Sequence, residues 1–597
     1  MHRKRQPDIK GFDFLVPGCT LLFGLALTGA AAQPAASPSG PVIFLDQGWT
    51  PAERAWYYQV SQGSAVMSYD LFLNLEVAGN QELFRSDANS DRFGLATQAA
   101  DPQNNPDALP IGLSKTIVKR VGGVEDVQVG LNCAACHNAQ LNYQGKRIRI
   151  DGGAGNTFDM MGYVNALDDA MQATLADRQK FDRLAARLGA MSVEAKSELG
   201  KRIEREAAPI HTYRTRTLAT PTVWGPSRID AIGSIVNRML ATETGIPENW
   251  STPLAPTKPP FLWNAPHGSW TQWRGVQQDP IGRNLTEAMG VFMPLDLHSK
   301  TPQEGLFSSN AALLDLQRIE DQLTRLAPPK WPEEVFGTID RQKAAAGKVL
   351  FATHCASCHN AWPYTWTAPN KYGKRFLEVG LVPQKYVGTD PGQFDNLRPY
   401  AITGNLAPYL PPPLKDKEIV PTGAMYQVAQ RLVLEKALSQ LKLDEAQAAK
   451  LHGYREFPLP EPRQGNYKAA PRDGVWATPP FLHNGSVPNL YEMLVPAKER
   501  TKQFYIGREF DPVKVGLDTS GKSGTFLLDT SLRGNSNAGH SFESGPLGNG
   551  VIGPLLTDSQ RWALVEYLKS IPEEAGRVTP FGGPPNAVTG TSNWSRY

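Results

Sequence analysis

Cysteine is scarce in this chain, and the little there is falls in few places. Of five cysteines in 597 residues, Cys19 sits at the head of an apolar N-terminal run. The other four form Cys133-Ala134-Ala135-Cys136-His137 and Cys355-Ala356-Ser357-Cys358-His359. Nothing is left over for a disulfide framework. Beyond the N-terminus no stretch approaches the ~20 apolar residues that a membrane span requires. Charge of one sign is lacking too. The formal net charge is +3, and it falls to about +1 without residues 1–32, which hold four basic and two acidic residues. With no basic stripe and no aromatic–basic alternation, a nucleic-acid partner is not indicated.

What is present starts with an export signal. Arg3, Lys4, Arg5 and Lys10 make a basic head, Phe14 to Thr28 is apolar, and Ala30-Ala31-Ala32 precedes Gln33 as an A-x-A cleavage site. The run is short for a span and contains Pro17, so an uncleaved anchor is the weaker reading. The expected location is the periplasm or outside the cell, with no stable membrane anchor after cleavage. Residues 33–44 read as a Pro/Ser/Gly-rich linker. A chain of this length needs more than one core. Its best internal linker is Ala327-Pro328-Pro329-Lys330-Trp331-Pro332. That divides it into a domain over 45–330, a domain over 331–575 and a tail over 576–597.

Both cysteine pairs are C-x-x-C-H, the attachment signature of c-type haem. Two thiols a short turn apart reach the two vinyl groups of one porphyrin. The following His then sits under the iron as proximal ligand. Two copies imply two covalently bound haem c groups, through Cys133, Cys136 and His137, and through Cys355, Cys358 and His359. A four-cysteine zinc cluster would have no need of a His after each pair. A thioredoxin-like pair lacks the nearby βαβ pattern.

Helical signals dominate the rest. Thr50-Pro51-Ala52-Glu53 reads as a capped helix start. Met160, Val164, Leu167, Met171 and Leu175 share one face within a helical region over 157–206. A helix is expected near 309–326, and another over Arg341–Thr353, where Gly347, Leu350 and Phe351 share a face directly before Cys355. Thr557-Asp558-Ser559-Gln560 opens a last helix with Leu564, Leu568 and Ile571 on one side. A Gly/aromatic first helix against a Leu-rich last helix, with haem between, is the pattern of a class I cytochrome c domain. The fold expectation is mainly α: two such domains with long irregular loops and little β. Apart from the haem motif no internal repeat is evident. The Trp- and Pro-rich region over 221–284 reads as a core edge or an active-site wall.

With these residues in view, Ala477-Thr478-Pro479-Pro480-Phe481-Leu482-His483-Asn484-Gly485-Ser486 resembles a loop of the bacterial dihaem cytochrome c peroxidase superfamily. Three stretches resemble its rubber oxygenases. They are Trp56-Tyr57-Tyr58 with Ser61-Gln62-Gly63-Ser64, Asn105-Pro106-Asp107-Ala108-Leu109-Pro110, and Asn537-Ala538-Gly539-His540-Ser541-Phe542. The resemblance implies an active first haem with His137 as its one protein ligand and an open side for dioxygen. It implies a second, electron-transferring haem held by His359 and His540. It also implies a Trp between the haems, matched by Trp263. From the residues alone, His540, His483 and Met493 compete for that second axial place. The peroxidases also set a carboxyl over the active haem as acid–base, for which only Asp168 and Asp169 offer themselves by position.

The function expected is oxygen activation at the His137 haem and oxidative cleavage of an apolar olefin such as polyisoprene. Peroxide reduction fed by a small redox donor protein is the alternative, and a non-enzymatic electron-transfer cytochrome a third. Apolar small-molecule or polymer substrates, with dioxygen or peroxide, are the expected partners.

Overall fold

The computed structural model describes residues 40–119, 125–155, 157–461, 464–521 and 524–575. The export signal and the tail after 575 lie outside these residues. Among the described residues no helix is long and apolar enough to cross a membrane.

The architecture is mixed, with about 37% of residues in helices and 15% in strands spread over several small sheets. This overturns the mainly α expectation, and the strands sit where it matters. The first C-x-x-C-H is one helical turn, Cys133–Cys136, between two three-stranded sheets. Strand Glu125–Leu131 leads into it, paired antiparallel with Leu113–Lys119 and Met67–Ser68. Strand Asn138–Tyr143 leaves it and turns back as Lys146–Asp151, with Val42–Phe44 added parallel at the edge. The two-residue turn is Gln144-Gly145, both at positive φ, as a tight hairpin requires. Both faces of this hairpin are buried. Ala139, Leu141, Ile148 and Ile150 alternate onto one face, and on the other Gln140 donates to Asn142 at 3.0 Å and accepts from buried Arg149 at 2.9 Å. A helical reading passes over that alternation.

Helices cover these sheets. Pro51–Gln59 starts with a full capping box between Thr50 and Glu53 and packs its buried Tyr57 and Tyr58 inward. The region 157–206 becomes three helices, Met160–Ala176, Arg178–Arg187 and Val193–Thr212. Asp177 breaks the first and caps the second. Met160, Val164, Leu167 and Met171 are buried in the core those helices share.

The second motif is built as the sequence suggests. Helix Arg341–His354 ends one residue before Cys355 and lies against the last helix, Asp558–Ala575. The crossing is so close that a Cβ on Gly347 would sit 2.0 Å from the Ala563 carbonyl oxygen. Leu564, Leu568 and Ile571 are buried there, each contributing about 1.5–3 kcal/mol. Gly347→Ala should therefore destabilise the protein by about 1–3 kcal/mol or more. The measurement is the denaturant midpoint at unchanged slope. A midpoint equal to wild type would contradict this packing.

One apolar core runs through both halves and holds Trp49, Tyr57, Leu141, Trp263, Leu285, Trp331, Phe351, Trp476, Phe510 and Leu564 together. Segment 327–332 passes through it. Trp331 is buried beside Phe336 and Trp476, and the Pro329 carbonyl accepts from Trp476 Nε1 at 2.9 Å. The two motifs therefore share walls.

Candidate haem sites

Each motif histidine is oriented in the same way. His137 Nδ1 lies 2.8 Å from the Pro260 carbonyl oxygen, and His359 Nδ1 lies 2.9 Å from that of Ala470. Donation from Nδ1 fixes the tautomer and leaves Nε2 with a bare lone pair, the form a metal ligand needs. Arg472 Nε also comes within 3.0 Å of His359 Nδ1. That nitrogen can donate to the carbonyl or accept from the guanidinium, not both. Donation to Ala470 matches the His137 arrangement and is the ligand form, so Arg472 acts there as a neighbouring charge. Burial holds both imidazoles neutral, with His137 pushed down to about 4 and His359 well below the usual histidine value, which Arg472 and His540 depress further.

Opposite His359 stands His540. Their ring centres are 6.3 Å apart. Two imidazoles on one metal at about 2.0–2.1 Å each, with each nitrogen roughly 1.15 Å from its ring centre, have centres about 6.3 Å apart. The donor pair fits a six-coordinate haem iron. Burial pushes His540 down to about 3, with Arg500 and Arg472 adding to the shift, and its Nδ1 has no partner. Local backbone sets its place. His540 itself is at φ 45° after Gly539 at φ 73°. Its N–H donates to the Val387 carbonyl at 2.7 Å. Buried Arg500 gathers the loop by donating to the carbonyls of Asn537, Gly539 and His540 at 2.6, 2.9 and 2.7 Å.

His359 and His540 face a cavity of about 440 Å³, within the size of cofactor sites, roughly 300–1,000 Å³. Cys355, Cys358, Phe351, Leu564 and Leu568 line it. Met493 and His483 line the same cavity, but the His483 ring stacks on Tyr467 at 4.3 Å and its Nε2 is 3.1 Å from the Tyr467 hydroxyl.

Around the first motif the side chains are of another kind. Cys133 Sγ donates to Gln62 Oε1 at 3.1 Å. Fully buried Tyr57 has a hydroxyl without a partner, close enough to Cys133 and Cys136 to feel both. Helix Pro280–Gly290 brings in Arg283 and Glu287, and helix Leu313–Leu323 brings in Glu320. Arg283 pairs with Glu320, and Asn284 donates to the same carboxylate at 2.8 Å. Gln272 reaches Glu287 Oε1 at 3.5 Å. Burial first, then the charge of Glu287, pushes up both thiols of the motif; Glu320 adds to the effect at Cys133. Glu287 keeps some surface open, yet enough protein surrounds its carboxyl to raise it, and Arg283 holds it back.

Asp168 and Asp169 play no part in this. Asp168 accepts from His211 Nδ1 at 3.0 Å and Arg214 Nη1 at 3.1 Å, and Asp169 pairs with the same arginine at 2.5 Å. They tie helices together. Nor are the two cysteine pairs gathered into one metal site: among the described residues no group of three or more His, Cys, Asp or Glu is placed to hold an ion.

Trp263 lies between the motifs. Its ring is fully buried and stacks on Phe261 at 4.7 Å and 16°. Its Nε1 donates to the Asp473 carbonyl at 2.7 Å. Pro260 of the same loop holds His137, and Arg472, next to Asp473, touches His359. The loop carries a repeat that the haem motif overshadowed. Pro259-Pro260-Phe261-Leu262-Trp263-Asn264 begins 122 residues after His137, and Pro479-Pro480-Phe481-Leu482-His483-Asn484 begins 120 after His359. The two copies meet. Lys258 donates from its backbone to the His483 carbonyl at 2.9 Å and from Nζ to the carbonyls of Pro480, at 2.6 Å, and Thr478.

A cytochrome c-type haem protein is the class these features define. Residues 465–505 match the family described as RoxA-like, cytochrome c-like, and that segment supplies Ala470, Arg472, the second repeat and Arg500. Along its length the chain is 33% identical over 579 residues to the uncharacterized protein y4iJ of Sinorhizobium fredii, covering 89% of this chain and 93% of that one. It is 25% identical over 329 residues to the uncharacterized protein y4iM of the same organism, covering 52% and 63%. The chain belongs to the family of y4iJ, and its residues 465–505 are similar to a RoxA-like, cytochrome c-like domain.

Proposed function

We propose that the protein is an exported dihaem c-type oxidoreductase that reduces hydrogen peroxide at the haem held by Cys133, Cys136 and His137. The observation that carries this reading is the ionisable group Arg283, Glu287 and Glu320 beside that motif, set against the paired imidazoles at the other. Haem iron supplies the redox-active Lewis acid at which a peroxide O–O bond is cleaved. The protein's share is proton movement and charge. Glu287 takes the proton from the nearer peroxide oxygen and returns it to the farther one, which leaves as water. Arg283 offsets the negative charge that develops. Two electrons and two further protons complete the reduction to a second water. The electrons come from a small redox donor through the second site.

Glu287 must be ionised to act as base. Its carboxyl is raised, so turnover should fall as pH drops through a value above the ordinary glutamate range of ~4.3, and the acid limb of the kcat/KM profile reads it. Phe261, Trp263 and Asp473 connect the sites. Trp263→Phe should slow electron arrival at the first haem in stopped-flow traces, and leave the Asp473 carbonyl unpaired at a cost of about 1–3 kcal/mol. Unchanged electron-transfer kinetics would remove Trp263 from the route.

The RoxA-like match favours a second reading, dioxygen-dependent cleavage of an apolar olefin such as polyisoprene. Two assays on the holoprotein separate them. Peroxide consumption with a reduced small cytochrome supports the first. Carbonyl-ended oligomers from polyisoprene latex under air, without peroxide turnover, would replace it with the second.

A further inference from the structure

The cavity between His359 and His540 is lined by cations and by no acid, and the nearest carboxylate acting on them is Asp473, behind Arg472. Lys258, Lys468 and Arg472 line it, and no aspartate or glutamate does. Lys258 is 3% exposed and its Nζ meets only the carbonyls of Pro480 and Thr478. Lys468 is anchored through its backbone N–H to the Trp273 carbonyl at 2.7 Å. Burial first, then the charge of Arg472, pushes both lysines down to about 7, with Arg283 adding to the effect at Lys468; burial lowers Arg472 itself to about 10 against the opposing charge of Asp473. Like charges gathered in a desolvated wall are costly unless an anion joins them. The wall comes from both halves, Lys258 from directly ahead of the first proline-rich repeat and the other two from the segment ahead of the second.

We infer that Lys258, Lys468 and Arg472 are the carboxylate clamp of the second site, receiving the two propionates of the haem attached at Cys355 and Cys358. Three fixed cations then face two carboxylates, with Asp473 behind Arg472, and the positive charge of each lysine favours the reduced, less charged form of the iron. The same cavity is lined by the thioether cysteines Cys355 and Cys358 and by all three cations. Lys258 also ties the second site to the loop whose Pro260 carbonyl holds His137.

The inference rests on haem occupying the second site and is independent of peroxide turnover. The test uses holoprotein carrying Lys258→Gln or Lys468→Gln. The low-spin spectrum is recorded first, then the reduction potential of that haem by spectroelectrochemistry and its propionate-bending bands by resonance Raman. Each variant should keep the low-spin spectrum, shift those bands and lower the potential by about tenfold in the one-electron equilibrium, or roughly 59 mV. If Lys258→Gln does not fold, Lys468→Gln carries the test alone, since its known anchor is backbone. Unchanged bands and potential, or a shift confined to the other haem, would overturn the clamp. Absence of any low-spin haem in the wild type would overturn the ligand pair and the clamp together.

Discussion

Replacing His540 by alanine should leave one haem with a single protein ligand and turn its low-spin spectrum high-spin or solvent-ligated, while the other haem is unaffected. The expectation follows from the 6.3 Å between the ring centres of His359 and His540, which leaves room for one iron and two bonds. Met493 and His483 line the same cavity, but His483 is engaged by Tyr467. A thioether replacing the lost imidazole would raise the potential and remain low-spin, so Met493→Leu in the His540→Ala background distinguishes rescue from a wrong assignment. Arg500→Ala should give a weaker version of the same change, because it releases three carbonyls of the loop without removing the ligand. Electron delivery should fail in His540→Ala even where the first haem still binds peroxide. An unchanged second-haem spectrum would remove His540 from the site.

Glu287→Gln should lower kcat/KM for peroxide by about 10²–10⁴-fold, the usual contribution of a positioned acid–base, with both haem spectra retained. The amide keeps the side chain's size and its contact with Gln272 but moves no proton. Loss of the acid limb of the pH profile should accompany the loss of rate, which a packing defect would not produce. Glu320→Gln is expected to act differently. Glu320 accepts from both Arg283 and Asn284, so its loss removes a charged partner of the buried guanidinium, leaving Glu287 and Asn284 beside it, and should destabilise the fold by about 1–3 kcal/mol. If Glu287→Gln turns over peroxide at the wild-type rate, the proton route is elsewhere.

Much of the helical frame could be read from the residues. Thr50 and Glu53 cap the first helix, Thr557 and Gln560 cap the last, and Gly347 between Ala344 and Phe351 marks the helix crossing. These signals are local, a few side chains bonding a few backbone groups. The hairpin after Cys136 left a signal that was passed over, Ala139, Leu141, Ile148 and Ile150 alternating with buried Asn138, Gln140, Asn142 and Arg149, while the pairing of Met67–Ser68 and Val42–Phe44 onto the sheets is long-range and leaves no local mark. Glu287 was hidden for a related reason. It lies about 150 residues after the motif it serves, in a region whose tryptophans and prolines draw the eye. Asp168 stood closer in sequence and proved to be a tie between helices. The repeated Pro-Pro-Phe-Leu-x-Asn was present in the sequence but passed over; its near-equal spacing from each haem motif could have flagged the loop of the Pro260 carbonyl and the Lys258 contact, though not Ala470, which lies ahead of the second copy. The Gly539-His540 loop catches attention in the sequence, but only Arg500 and the Val387 carbonyl, far away in the chain, fix which face it crosses.

The central claim is that the two sites are unequal, one closed by two imidazoles and one open to a small ligand. Low-temperature EPR of the oxidised holoprotein, before and after cyanide, tests it most directly. The account predicts two signals: a low-spin one that cyanide leaves alone, and a second that converts to a cyanide-bound low-spin form. Two low-spin haems that both ignore cyanide, or two that both bind it, would contradict it.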